Sequence, residues 1–115
     1  MRELSLSIKQ KYFDQIISGE KKTEQREIRP KNASRYCNFD ENGKLIDLID
    51  YDQIKFITGA YVGKRPTATV EVLGAEIVMY KDEKGELVTY IEDGEEYILA
   101  DVVYTLGDIV SQSVV

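Results

Sequence analysis

Gly19-Glu20-Lys21-Lys22-Thr23-Glu24-Gln25-Arg26 is the stretch from which the fold of this chain can be worked out. Before it, apolar residues alternate with polar ones over residues 4–8, which predicts a half-buried strand. Residues 9–18 then carry apolar side chains at helical spacing, and Gly19 stands where that helix should end. The quoted stretch therefore leaves a helix and enters a second strand over residues 22–28.

The predicted strand over residues 22–28 carries charge on both faces. Glu24, Arg26 and Ile28 share one face, and the residues between them share the other. A strand that buries charge either lies at the edge of a sheet or lines a polar site, and the sequence leaves both possibilities open. Pro30 ends the strand.

Beyond Pro30 the sequence predicts short strands separated by turns, with residues 31–52 as the least regular part. The longest predicted strand is 67–79, in which Gly74 indicates the kind of bend that closes a barrel. The other strands are expected at 54–58, 87–91 and 97–104, and the turns at 40–44, 63–66, 84–85 and 92–94, with residues 105–109 closing the fold and 111–115 fraying. Many short strands with one or two short helices predict an α+β domain built as a small mixed barrel.

Length and composition restrict the kinds of protein to which this chain can belong. The 115 residues suit a single domain over residues 1–115 with one core, and 43% hydrophobic with 31% charged residues is typical of a globular chain. No apolar run approaches the ~20 residues of a membrane span, and residues 1–8 are too polar for the core of a signal peptide. We therefore expect a cytoplasmic protein that makes no membrane contact.

The residue types that are missing exclude several chemistries. The chain has no histidine, which removes the usual general base and the commonest zinc ligand. Its one cysteine, Cys37, has no partner for an internal disulfide and is interpreted as a packing residue. We expect neither a metal ion nor an organic cofactor.

Charge is distributed unevenly along the chain, whose net charge is −6. Residues 1–35 hold nine Lys/Arg against five Asp/Glu, a net of +4, whereas residues 81–101 hold two against eight, a net of −6. An acidic domain does not bind duplex nucleic acid through its overall charge, but a local basic site can hold a short phosphate-bearing ligand. Two solvated faces of opposite sign explain the pattern equally well.

A basic rim with aromatic residues that stack on a base is a further hypothesis. Its basic residues are Arg29, Lys31, Arg35, Lys64 and Arg65, and its aromatic residues are Tyr36, Phe39 and Tyr61.

The quoted stretch resembles the G-x-K-x-x-E-x-R motif of the ASCH family, at Gly19, Lys21, Glu24 and Arg26. The preceding helix, which ends in Ile-x-x-Gly or Ile-x-Gly, resembles the family as well, as does the segment Ala68-Thr69-Val70-Glu71-Val72, where the family has a central strand with an acidic residue. The resemblance ends in a weaker match at Leu106-Gly107-Asp108. It implies a PUA-like β-barrel with one or two short helices and a cleft beside the motif.

The resemblance also implies a function, namely binding of RNA or of a nucleoside- or nucleotide-like ligand. The residues it assigns to that ligand are Lys21, Thr23, Glu24, Arg26, Arg65 and Glu71. Some small bacterial members look like metal-independent amidohydrolases that deacetylate N4-acetylcytidine. In that branch Lys21 and Glu71 match the catalytic lysine and glutamate, while Glu24, the third candidate for catalysis, stands where a hydroxyl residue is found.

The chemistry of Lys21 separates these functions. A lysine nucleophile must lose its proton, which burial or a neighbouring cation favours, whereas a neighbouring carboxylate keeps it charged. A charged Lys21 suits the binding of phosphate or carboxylate. The first expectation is therefore a binding domain, the second an amidohydrolase, and the third a protein-interaction domain without a ligand; oligomeric state is left open.

Overall fold

The computed structural model describes residues 1–59 and 65–113. Its helices and strands are, in chain order, β1 Glu3–Ile8, α1 Gln10–Ser18, β2 Thr23–Ile28, α2 Ala33–Tyr36, β3 Cys37–Phe39, β4 Leu45–Leu48, β5 Gln53–Thr58, β6 Thr67–Met79, β7 Thr89–Glu92, β8 Glu95–Ile98 and β9 Ala100–Ser113. The predicted turn at 63–66 and the tail fall partly outside the described residues, as do Tyr61 and Lys64 of the basic rim. The α+β class is confirmed.

The chain divides into two compact units. The first comprises Met1–Glu24, Asp50–Gly74 and Tyr104–Val115, and the second comprises Gln25–Ile49 and Ala75–Val103. The strands β2, β6 and β9 each continue from one unit into the other.

A five-stranded sheet, in the order β1-β5-β6-β9-β2, supplies the core of the first unit. The strands β1 and β5 run parallel, with Leu6 beside Phe56, and β5 and β6 run antiparallel, with Phe56 beside Ala68. These side chains are almost completely buried, and the side chains of the neighbouring cross-strand row are buried to a similar extent. The period-two pattern predicted at residues 4–8 is thus confirmed as the core face of an edge strand.

The helix α1 ends where the sequence predicts. Gly19 has a φ of 82°, and its N–H donates to the carbonyl oxygen of Ile16 at 3.1 Å, which closes the last turn. Glycine suits this left-handed position because it has no Cβ to clash with the following carbonyl group. Phe13 and Ile16 are the buried residues of α1, which packs against β5.

The strand β2 is the opposite edge of the five-stranded sheet. Burial along it alternates as predicted, since Glu24 is buried and Arg26 and Ile28 are half-buried, whereas the residues between them are exposed. The strand is therefore an edge that also buries a carboxylate.

Two hairpins lie in the second unit. Residues 31–52, expected to be irregular, contain α2 and the antiparallel pair of β3 and β4, which the predicted 40–44 turn connects. Short, mostly exposed strands carry little hydrophobic periodicity, which is why the pattern missed them. The second hairpin pairs β7 with β8, and Asp93 and Gly94 both have positive φ at its predicted turn.

The C-terminal strands differ from the prediction. The single strand expected at 97–104 is divided into β8 and β9, and β9 runs to Ser113 through the segments expected to close the fold and to fray. With 14 residues it is longer than β6, whose predicted limits of Thr67 and Met79 are confirmed but which has 13. Leu99, which lies between β8 and β9, donates its N–H to the carbonyl oxygen of Val88.

The sheets are not closed into a barrel over the described residues. The five-stranded sheet has β1 and β2 at its edges, and β3–β4 and β7–β8 form separate two-stranded sheets. Within the same residues, none of the helices is long and apolar enough to cross a membrane.

Candidate functional site

The connection between α1 and β2 holds Lys21 in place. The backbone N–H of Lys21 donates to the carbonyl oxygen of Gln15 at 2.9 Å, which folds the chain back over the end of the helix. The carbonyl oxygen of Lys22 accepts a hydrogen bond from the N–H of Leu106 at 2.9 Å, which ties the start of β2 to β9. The backbone on both sides of the Lys21 side chain is thus anchored.

Lys21 and Glu24 form an ion pair at the edge of the sheet. The distance from Nζ to Oε1 is 3.3 Å, and the side chains of Lys21 and Glu24 are 21% and 8% exposed. Removing a carboxylate from water costs free energy that only charged or hydrogen-bonding partners recover. The lysine shields this carboxylate while keeping part of its own surface open to solvent.

Tyr12 adds an aromatic ring beside Lys21. The Lys21 Nζ lies 5.9 Å from the centroid of the Tyr12 ring, which is itself partly exposed. An ammonium group and an exposed ring side by side can hold an anionic or aromatic ligand. The sequence interpretation placed Tyr12 in the helical pattern alone, because the pattern does not show that the chain after α1 folds back and places Lys21 beside the ring.

Glu71 lies on the exposed face of β6. Its direct neighbour on β5 is Gln53, whose side chain donates to Glu3, so that three polar residues form a row across β1, β5 and β6. The adjacent Val70 faces the core. Glu71 makes no ion pair or hydrogen bond through its side chain in the part of the chain that the structure describes. Its carboxylate is therefore available to solvent.

Gly107 makes room for Glu71. A Cβ at Gly107 would collide with Glu71 Oε1 and would lie 3.0 Å from Cδ2 of Leu73. The absence of a side chain thus allows the carboxylate to lie directly over β9. This contact connects two segments of the sequence resemblance, the central strand and Leu106-Gly107-Asp108.

The structure brings some of the predicted site residues together and not others. Lys21 contacts Glu24, whereas no described hydrogen bond or ion pair joins either of them to Glu71. The two carboxylates also differ in their exposure to solvent, since Glu24 is buried and Glu71 is exposed. Thr23 and Arg65 are both exposed, and Arg26 is half-buried on the part of β2 that belongs to the second unit.

Two members of the predicted basic rim, Arg29 and Tyr36, are engaged elsewhere in the second unit. Arg29 lies 2.8 Å from Glu27 and 3.7 Å from Glu92, and its guanidinium sits 4.2 Å from the centroid of the Tyr90 ring. The hydrogen bond that the Arg29 guanidinium donates to Glu27 is the main cause that raises the pKa of Arg29. Tyr36, proposed for stacking on a base, is buried and cannot do so.

A polar cluster in the second unit was not predicted. The side-chain amide of Gln25 donates to the Tyr80 hydroxyl at 2.7 Å and to Asp101 at 2.5 Å, and the Tyr80 hydroxyl donates to the same Asp101 oxygen at 2.5 Å. The hydrogen bond to Asp101, followed by partial burial, raises the pKa of Tyr80. No sequence signal could reveal the cluster, because its members are distant in the chain and unremarkable singly.

Cys37 is a core residue, as predicted. It is buried at the start of β3, and burial raises the pKa of its thiol. Over residues 1–59 and 65–113, cysteine, aspartate and glutamate nowhere form a group of three arranged to hold a metal ion.

No protein-family model matches this sequence, and no curated protein or solved structure matches it either. The likeness to the ASCH family therefore rests on the motif residues themselves.

Proposed function

We propose that the chain is an ASCH-type domain that binds RNA or a nucleoside-like ligand at the Lys21 end of the Gly19–Arg26 segment. The observation that carries the proposal is the Lys21–Glu24 ion pair, in which a buried carboxylate lies behind a partly exposed lysine at a sheet edge. A surface ion pair contributes only ~0–1 kcal/mol, and a buried one is rarely retained for stability. An arrangement of this kind is better suited to orienting the lysine toward a ligand.

The surrounding residues offer the contacts that such a ligand requires. The Lys21 ammonium can donate to a phosphate or a base carbonyl, and the Tyr12 ring beside it can stack on a base. Thr23 and Arg65 are exposed and can extend the contacts, and Arg26 is proposed as a further ligand residue from its place in the motif. The net charge of −6 limits the ligand to a nucleoside, a nucleotide or a short single strand.

The proposal includes the PUA-like barrel that the family resemblance implies. The five-stranded sheet with α1 packed against β5 supplies strands and a helix of the expected kinds. Closure of that barrel is part of the proposal.

A second candidate function is the metal-independent deacetylation of N4-acetylcytidine or a related acylated nucleoside. The observation in its favour is the exposed carboxylate of Glu71, which has no ion pair or side-chain hydrogen bond among the described residues and is available to transfer protons. Two observations favour binding instead. The Lys21 Nζ is already engaged in an ion pair with Glu24, and Glu24 occupies the hydroxyl position of the hydrolase branch.

A binding panel of nucleosides, nucleotides and short RNAs, measured by calorimetry at low and moderate salt, tests the first proposal. We expect Lys21→Ala to weaken binding at least tenfold, because it removes a charged donor from the ligand. Lys22→Ala is the matched control, since it removes the same charge from an exposed neighbour, and we expect an effect below threefold. Equal losses in the two variants would contradict the proposed site, and a folded protein that binds no member of the panel would favour an interaction domain without a ligand.

Incubation with N4-acetylcytidine, with cytidine release followed by chromatography, tests the second function. Release that is lost in both Lys21→Ala and Glu71→Gln would establish an amidohydrolase and displace the binding proposal. A Glu24→Thr variant restores the hydroxyl of the hydrolase branch and should raise a weak turnover. No release from folded wild type and Glu24→Thr proteins would rule out the deacetylase.

A further inference from the structure

The outer face of the β7–β8 hairpin is apolar and open to solvent. Ile91 is 75% exposed, and Ile98 and Leu87 are also among the exposed large apolar residues. Leu87, Thr89 and Ile91 alternate along one side of the chain, and Ile98 pairs directly with Thr89. The three apolar side chains therefore surround Thr89 and form one patch, which is termed here the hairpin patch (Leu87, Ile91 and Ile98).

The other face of the same hairpin is covered. Tyr90 and Tyr97 pair across the strands and stack with their ring centroids 5.7 Å apart, and Arg29 lies over the Tyr90 ring. The hairpin therefore already has a packed side, which holds it in shape. The hairpin patch lies on the face opposite to these rings. The packing of the second unit therefore does not require its apolar side chains.

Carboxylates predominate along the border of the hairpin patch. Residues 85–101 contain six Asp and Glu and no Lys or Arg. Glu96 lies directly opposite Ile91, Glu86 precedes Leu87, and Asp93 forms the turn. None of these three carboxylates takes part in an ion pair among the described residues. These three carboxylates outnumber Lys81, which lies opposite Leu87, so the border of the apolar patch favours a cationic partner and disfavours nucleic acids and anionic membranes.

We infer that the hairpin patch docks a second protein, through a segment of that protein that places Lys or Arg around apolar side chains. The apolar anchors would fill the space over Ile91 and Ile98, and the cations would meet Glu86, Asp93 and Glu96. This inference does not depend on Lys21 or on the proposed nucleoside site.

A second copy of the chain fits less well than a different protein. Its basic residues 1–35 would meet the acidic hairpin in a head-to-tail contact. Such a contact uses two different surfaces and does not close on itself, so it leads to rings or filaments. A different protein can pair with the same carboxylates in a one-to-one complex that does not propagate.

Titration with a short, end-blocked peptide that alternates lysine and isoleucine tests the inference, with backbone amide shifts and fluorescence anisotropy as readouts. We expect shifts concentrated in residues 86–98, binding weakened about tenfold in Ile91→Thr, and binding reduced by salt. Ile91→Thr keeps a β-branched residue in the strand, and circular dichroism with a melting curve confirms that it folds. Ile46→Thr is the matched control because Ile46 is a 63% exposed residue on the other hairpin, and it should leave binding unchanged.

Control peptides separate the apolar contribution to binding from the cationic contribution. Replacing isoleucine by serine, or lysine by glutamate, should each abolish binding, because the patch requires both apolar and cationic groups. Equal binding of the serine peptide, loss of binding in Ile46→Thr, or no binding by the lysine–isoleucine peptide at millimolar concentration would each overturn the inference. Sedimentation showing that the wild type alone associates through Ile91 would overturn it as well, by identifying a second copy as the occupant.

Discussion

At the scale of the residue, Gly107 shows how one missing side chain positions another. The space that an alanine Cβ would take is occupied by Glu71 Oε1 and by the Leu73 side chain. The φ of Gly107 lies outside the left-handed range, so glycine is required here by the close approach and not by the backbone conformation. The exposed carboxylate of Glu71 can therefore lie flat against β9.

We expect Gly107→Ala to destabilise the protein by about 1 kcal/mol, because Glu71 must swing away and Leu73 must shift. Urea unfolding measures the change. The loss should shrink when Glu71→Ala is combined with it, since one of the two collisions is then removed. Gly74→Ala on β6 is the matched control, because its Cβ would meet open space and should cause no loss. An equal loss in the presence and absence of Glu71 would show that the contact is unimportant.

Cys37 shows the effect of burial on a single thiol. Burial raises the pKa of Cys37, so the reactive thiolate is scarce at neutral pH and reagents cannot reach it. We expect its reaction with a disulfide reagent at pH 7 to be at least a hundredfold slower in the folded protein than in urea. Rapid modification of the folded protein, at the rate of the unfolded chain, would contradict the buried position at the start of β3.

At the scale of the element, the cluster of Gln25, Tyr80 and Asp101 connects separate strands of the second unit. Gln25 belongs to β2, Asp101 to β9, and Tyr80 directly follows β6. One Asp101 oxygen accepts from both of the other side chains. The cluster therefore depends on the protonated form of the Tyr80 phenol.

The raised pKa of Tyr80 predicts a loss of stability at alkaline pH. Below pH ~10, the usual pKa of tyrosine, the phenol is protonated in the folded and unfolded chains and its contribution is fully present. As the pH rises further, the unfolded chain releases its proton first, so stability falls until the pKa of the folded state is passed. Urea unfolding between pH 8 and pH 11 measures this loss.

The matched variant for this measurement is Tyr80→Phe, which removes the titrating group. We expect its stability to fall less steeply above pH 10 than that of the wild type. Tyr97, whose pKa is raised by its hydrogen bond to Glu95, titrates in the same direction in both proteins and cancels in the comparison. Identical slopes would show that the cluster does not form in solution.

At the scale of the whole molecule, the buried apolar residues are concentrated in the first unit. The rows of β1, β5 and β6 are almost fully buried, whereas the second unit contributes Tyr36, Cys37 and Val102. Most of the hydrophobic stabilisation therefore comes from the five-stranded sheet. The two hairpins of the second unit instead keep apolar residues on their surfaces.

We expect Phe56→Ala to destabilise the protein by about 3–5 kcal/mol, because Phe56 has no exposed surface and lies between Leu6 and Ala68. Ile46→Ala on the exposed hairpin should change stability by less than about 0.5 kcal/mol. Chemical unfolding of the two variants measures the contrast. Comparable losses would show that the second unit contributes as much to stability as the first.

Local periodicity and turn chemistry were sufficient to predict one helix and several strands and turns of this chain. Alternation predicted β1, strand-like apolar runs predicted β5 and β6, helical spacing with Gly19 predicted α1 and its end, and Asn42-Gly43 and Asp93-Gly94 marked two turns. The alternation of burial along β2 was predicted as well, because strand side chains point to opposite faces whatever their neighbours are. The ASCH motif itself stays a prediction that the binding and turnover measurements can test.

The contacts between residues distant in the chain could not be predicted and are known from the folded structure alone. It placed β2 at a sheet edge with Glu24 buried, brought Tyr12 to Lys21, set Glu71 over Gly107, and assembled the cluster around Asp101. It also revealed β3 and β4, whose short exposed strands leave no periodic signal, and extended β9 through a segment rich in polar residues. The physical reason is that local spacing fixes the direction of a side chain within its own strand or helix, whereas its neighbours depend on the order in which the strands pair.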